Sequence, residues 1–301
     1  MGIGKLFLNV ALAASAVIAG PASAFEVYGF IPYHSRLENG TIIKGAPSQA
    51  WFMRLGIKPI HVVYDNKILV FPRSKNAKNK AKLSRDKVQD VANASRDQEI
   101  NIVSLDMESW DRFDIDTPSK IIEAISAYRN AHPEAVIGLY ATVPQNTYAW
   151  SQAKVKQYDE INDRYSKVAA EVDYLSPSLY NYNGADFEQW LEGAKYNIEA
   201  ARKYSTSKKI YPYITPEVRD GGATRWLSYG EMAERLQALR ALGADGCIVW
   251  ASSRSRDSSG EAPVLDPAKG WLKAVADAAG RRDPHHEVQR DGKSSLGHVD
   301  H

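Results

Sequence analysis

The sequence predicts an α/β fold, a TIM-like (β/α) barrel of about seven parallel strands wrapped by helices. Three observations lead there. Seven short runs rich in Val, Ile and Tyr read as strands, several apolar on both faces, as strands buried between helices are. Segments of helical period lie between them, and this alternation continues to the end of the chain. No glycine-rich fingerprint follows the first run and no phosphate loop occurs, which disfavours a nucleotide-binding doubly wound sheet.

The predicted strands are Val27–Ile31, Ile60–Tyr64, Asn101–Asp106, Val136–Ala141, Val172–Tyr180, Lys209–Ile214 and Gly246–Ala251. Ser84–Arg96 reads as a helix capped by Ser84. Pro118–Ala131 follows Thr117 and aligns Ile121, Ile122, Ile125 and Tyr128 on one stripe. Val155–Ala170 sets Ile161, Tyr165 and Val168 on one face. Asp186–Tyr204 is similar, and Tyr229–Leu242 is capped by Ser228 and stopped by Gly243. Pro267–Ala279 is the last helix. The Lys/Asn-rich stretch Phe71–Lys82 interrupts the pattern and reads as a solvated loop or cleft rim.

The flanks are of another kind. Lys5, an apolar stretch over residues 6–20 and Ala22-Ser23-Ala24 form a cleavable secretory signal over residues 1–24. The apolar stretch is short for a bilayer span, which needs about 20 residues. The expected location is therefore secreted or periplasmic, with no membrane partner after cleavage. Residues 25–280 suit one barrel, typically about 250 residues long. From Arg281 the chain is polar and aperiodic, and residues 281–301 read as a disordered tail. With 38 basic and 36 acidic side chains, no charge excess points to nucleic acid. Cys247 is the only cysteine, so no intrachain disulfide and no cysteine–histidine zinc cluster is possible.

The chemistry concentrates in Ile102-Val103-Ser104-Leu105-Asp106-Met107-Glu108-Ser109-Trp110. An apolar strand ends in two carboxylates spaced i, i+2, which alternation places on one side. At the C-terminal end of a barrel strand that side is the active-site mouth. Two carboxylates in a partly apolar pocket do not both ionise easily, so one keeps a proton and serves as general acid. Aromatics recur at the same end of other strands: Tyr140, then Tyr148 and Trp150 just beyond, Tyr180 and Tyr182, Tyr213, and Trp250. Flat rings there suit stacking on sugar faces. His34 and His61 read as packed or surface residues, and Ser252-Ser253 lacks a nucleophile elbow. Arg254 and Arg256 suit either a solvated loop or a contact to an acidic sugar.

Through most of the chain these segments resemble the hyaluronidase family of glycoside hydrolases. The family's Asp-Trp-Glu-x-Trp-Arg-Pro appears as Asp106-Met107-Glu108-Ser109-Trp110-Asp111-Arg112. Val62-Val63-Tyr64-Asp65 is similar to its strand ending in Phe-Tyr. Gly138-Leu139-Tyr140-Ala141-Thr142-Val143-Pro144 resembles the lead into Pro-x-Cys-Tyr-Asn, whose tyrosine corresponds to Tyr148, with Tyr140 as the alternative. Leu175-Ser176-Pro177-Ser178-Leu179-Tyr180 resembles Tyr-Pro-Ser-Ile-Tyr, and Gly243-Ala244-Asp245-Gly246-Cys247-Ile248-Val249-Trp250-Ala251-Ser252 resembles Gly-Ala-x-Gly-Val-Val-x-Trp-x-Ser.

The resemblance implies a distorted seven-stranded barrel, a polysaccharide substrate and substrate-assisted retention with no cofactor. Glu108 would protonate the leaving oxygen and later activate water. The nucleophile would be the substrate's own acetamido oxygen, with Asp106 orienting the amide and stabilising the cyclic cation. Tyr180 would donate a hydrogen bond, and Trp250 would floor the site. Met107 stands where the family has Trp, Asp111-Arg112 where it has Arg-Pro, and its disulfide cysteines are absent. The glycan therefore stays open between a hyaluronan-like polymer, chondroitin, chitin and a peptidoglycan-like chain. Two other readings remain: a hydrolase using Asp106 as nucleophile or base, and an inactive carbohydrate-binding barrel.

Overall fold

The structure is a computed structural model that describes residues 24–73 and 80–280. All of the expected signal except Ala24, and the whole tail from Arg281, lie outside the described residues. In chain order the first elements are β1 (Glu26–Phe30), β2 (Ser35–Glu38), β3 (Thr41–Lys44), α1 (Gln49–Arg54), β4 (Ile57–Pro59), β5 (His61–Tyr64) and β6 (Leu69–Val70). Then come β7 (Lys82–Leu83), α2 (Arg85–Asp97), β8 (Ile102–Asp106), α3 (Thr117–Ala131), β9 (Val136–Leu139), α4 (Val155–Arg164), α5 (Ser166–Glu171) and β10 (Tyr174–Leu175). The chain continues through α6 (Phe187–Tyr204), β11 (Lys209–Ile210), β12 (Tyr213–Ile214), β13 (Glu217–Asp220), β14 (Ala223–Trp226), α7 (Tyr229–Ala241), β15 (Gly246–Trp250) and α8 (Gly270–Ala278). No helix among the described residues is long and apolar enough to cross a membrane.

The architecture is α/β with parallel sheets. One sheet runs β12–β15–β1–β4, a second β5–β8–β9, and β10 pairs with β11. Backbone bonds link these pieces. Asp173 N–H donates to Ile137 O and Ala141 N–H to Ser176 O, beside β9 and β10. Ser178 forms a bridge with Tyr213, and only Ile60 separates β4 from β5.

All seven predicted runs contain strand, but two are broken by proline. The run at residues 172–180 keeps only β10 as ladder, and Pro177 lies beyond it. The run at 209–214 splits into β11 and β12 around Pro212. Proline has no N–H to give a ladder, yet its carbonyl still accepts: Tyr213 N–H donates to Pro177 O and Ile248 N–H to Pro212 O. The predicted helix over 155–170 likewise divides at Tyr165, whose hydroxyl donates to Arg112 O. The Phe71–Lys82 interruption is not wholly loop: Val70 pairs with Lys82 and Leu69 with Leu83, while residues 74–79 lie outside the description.

Helix starts follow the sequence. Ser84 and Asp186 accept from the backbone N–H three residues on, and Ser228 closes a capping box with Glu231. Alternation along the parallel strands then sorts the core. Val63, Val103, Leu105, Ile137 and Leu139 face the helices and join the large cluster. A second cluster on the inner side consists of Tyr28, Ile60, Tyr174, Tyr211, Tyr213 and Ile248. Tyrosines dominate it, which requires room: a Cβ on Gly138 would lie 2.3 Å from the Tyr174 ring. Tyr174 itself is buried with its hydroxyl donating to Val103 O at 2.9 Å.

Candidate active site

Strand β8 carries the site. Val103 and Leu105 are buried toward the helices, so Ile102, Ser104 and Asp106 point to the inner side. Beyond the strand, Met107 is buried and Glu108 is exposed. The turn is fastened at two points. Ser109 N–H donates to Asp65 Oδ2 at 2.8 Å, docking it on the end of β5, and Trp110 Nε1 donates to Ala81 O at 2.9 Å. Asp106 and Glu108 then share a cleft of about 180 Å3, walled by Val62, Tyr64, Tyr140, Tyr180, Tyr213 and Trp250.

The walls are packed rings. Trp250 stacks on Tyr180 with centroids 5.5 Å apart, and Tyr140 meets Tyr213 edge-on at 4.9 Å. Trp250 Nε1 donates to the Tyr64 hydroxyl at 3.2 Å, fixing the indole across the cleft from β5. These contacts lower the freedom of the rings before any ligand arrives.

Electrostatics separate the carboxylates. Burial, then the nearby charges of Glu108 and Asp65, push Asp106 up to about 8. Its Oδ1 is buried without a protein partner. The protonated form of Asp106 is therefore favoured at neutral pH. Burial raises the hydroxyl pKa of Tyr140, Tyr180 and Tyr213 well above the usual tyrosine value, so they remain donors.

Of the residues singled out from sequence, Asp106, Glu108, Tyr140, Tyr180, Tyr213 and Trp250 meet in this cleft. Tyr148 does not. It is 52% exposed, has φ 51°, and faces a neighbouring cleft of about 360 Å3, where the Arg112 guanidinium lies 5.4 Å from its ring. Trp110 lines that second cleft while buried itself, and Glu108 and Tyr140 border both. Tyr182 stands behind Tyr180, its hydroxyl bonded to Ser178 and Asn146. Arg254 and Arg256 are exposed, the latter turned onto the carbonyls of Ser253 and Ser255. Sequence reasoning had no role for Tyr64, Asp65 or Ser104. Tyr64 obeys the same strand-end aromatic rule as its neighbours, and Ser104 is a polar residue inside an apolar run. Among the described residues no group of three or more His, Cys, Asp or Glu is placed to hold a metal ion.

No family model matches the chain. A hyaluronidase of Apis mellifera is 31% identical over 142 residues, which are 44% of this chain and 36% of the relative. Bee venom hyaluronidase in complex with a hyaluronic acid tetramer superposes with a TM-score of 0.51 at 20% identity, covering 76% of this chain and 91% of that one. The chain is remotely hyaluronidase-like. The sequence match spans about a third of that relative's length, while the structural likeness, which concerns the fold, covers most of both chains. In this hyaluronidase-like chain the cleft offers one protonated carboxyl, one exposed carboxyl and stacked aromatic walls. That set suits proton transfer to a bound, ring-shaped, hydroxyl-rich molecule.

Proposed function

We propose that the chain is an exported glycoside hydrolase that cleaves an N-acetylhexosamine-containing polysaccharide with retention, using the substrate's acetamido group as nucleophile. One observation carries this reading: Asp106, buried beside like charges that favour its protonated form, shares an aromatic-walled cleft with an exposed Glu108. The remote relationship to a hyaluronidase supports the substrate class. The signal-like first 24 residues support export, and we read residues 25–280 as one domain. The backbone bonds linking β9 to β10 and β10 to β11, with the Ser178–Tyr213 bridge, support closure of the sheets into a seven-stranded barrel.

The proton inventory gives the mechanism. Near pH 7 Asp106 favours its protonated form before substrate binds. Glu108 projects furthest toward solvent and would meet the glycosidic oxygen, so substrate binding moves the proton to Glu108. Glu108 donates it to the leaving oxygen as the acetamido oxygen attacks the anomeric carbon and the glycosidic bond breaks. Asp106, now charged, faces the resulting cyclic cation. Glu108 then takes a proton from the incoming water. Exposure of Glu108 beside the rings favours catalysis over mere binding.

The test is release of reducing ends from a panel of hyaluronan, chondroitin, chitin and peptidoglycan. At least one should be cut by the wild type and not by Glu108→Gln. A panel left intact by the wild type would sink the proposal.

A further inference from the structure

Below the carboxylates, three buried polar atoms lack protein partners: Ser104 Oγ, Tyr213 Oη and Asp106 Oδ1. Ser104 is fully buried and Tyr213 is 1% exposed. Their placement is not scattered. Ser104 precedes Asp106 by two residues on β8 and faces the same inner side. Tyr213, on β12, lies beside both: its hydroxyl neighbours Ser104 without hydrogen-bond geometry, and its charge state feels Asp106. Unpaired buried hydroxyls and carboxyl oxygens are costly, and three together are rarely left unserved.

Residues two apart on one strand face have Cα atoms about 6–7 Å from each other, and none of the three atoms bonds another directly, which leaves a bridging water as the group that can serve them. We propose that Ser104 and Tyr213 hold a single water against Asp106 Oδ1, and that this cradle supports the Asp106 carboxylate when its proton leaves. Ser104 is thus a positioning residue. The water donates to Oδ1, and the Ser104 and Tyr213 hydroxyls hold the water in place. The role rests on the hydrolase reading above, because only a reaction that shifts the proton off Asp106 needs such donors.

The groups that face the pair are known. Glu108 follows on the same segment, Tyr64 ends β5 with Asp65 just beyond it, Tyr213 comes from β12, Tyr174 from β10 neighbours Ser104, and Tyr140, just after β9, faces Glu108. The hydroxyl cradle stabilises the anion against burial and two like charges.

The experiment is an isotope-edited infrared titration of the Asp106 carboxyl, assigned by its disappearance in Asp106→Asn. Ser104→Ala should raise the Asp106 midpoint by about one pH unit, since it removes part of the support for the charged form. On a cleaved glycan it should lower kcat by about tenfold with KM unchanged, the signature of an interaction made mainly in the transition state. Ser104→Ala and Tyr213→Phe together should shift the midpoint by less than the sum of the single changes, because they share one water. A folded Ser104→Ala whose midpoint stays or falls overturns the cradle. Should Ser104→Ala fail to fold, Ser104→Cys, similar in size and a weaker donor, carries the same expectation of an upward shift. If the wild type cuts no glycan, the hydrolase reading falls while the infrared titration still decides the cradle.

Discussion

At the scale of residues, the proposed mechanism gives the two carboxyls different roles, and they should respond differently. Glu108→Gln keeps the shape and deletes the proton donor, so turnover of an unactivated polymer should fall about 10²–10⁴-fold, read as reducing ends released. Asp106→Asn removes the like charge that lifts the pair. The basic limb of kcat/KM, which in the wild type should lie near the value of about 8 for Asp106, should move to lower pH in that variant. The same residue links the site to stability. Its folded pKa is raised, so the folded state prefers the protonated form. That preference has no effect below about pH 4, where the unfolded chain is protonated too, and becomes a growing penalty as pH rises toward 8. Asp106→Asn should therefore match the wild type in urea unfolding at acid pH and exceed it at pH 8 or above, by on the order of a few kcal/mol. The pair itself was legible as two carboxylates closing an apolar run, although Glu108 stands on the turn beyond β8 and not on the strand whose alternation was invoked. Ser104 was not, since a lone serine in an apolar run gains meaning only when Tyr213 arrives from a strand more than a hundred residues later.

At the scale of elements, close approach decides which positions tolerate change. Gly138 lies under the Tyr174 ring, where an added Cβ would fall 2.3 Å from ring carbons. Gly138→Ala should force β9 and Tyr174 apart and cost about 1–3 kcal/mol in chemical denaturation, with activity falling alongside because Tyr140 follows β9 directly. The strands were legible as apolar runs, and their breaks follow from Pro177 and Pro212. The antiparallel pair β2–β3 went unread although its turn, Asn39-Gly40, has positive φ at both residues (50° and 77°), as a tight hairpin requires. Its strands are only partly apolar, and a search for buried runs passes over them. The pair β13–β14, turning at Gly221-Gly222, escaped for the same reason.

At the scale of the whole molecule, β1 lies between β4 and β15, so the first strand of the fold is completed by the last. Glu26 is the register partner of Gly246, and Phe30 that of Trp250. A chain ended after Ala241 keeps all the other strands yet should show no cooperative thermal melt, because β1 and β12 each lose a neighbour. That arrangement also sets a clock. During synthesis one edge of β1 waits as an open template until the final strand appears, and the indole that walls the cleft arrives with it. Long-range closure of this kind is slow, and it leaves a half-made chain without a working cleft. Completion of the cleft is thus postponed until the last of the described strands has been made.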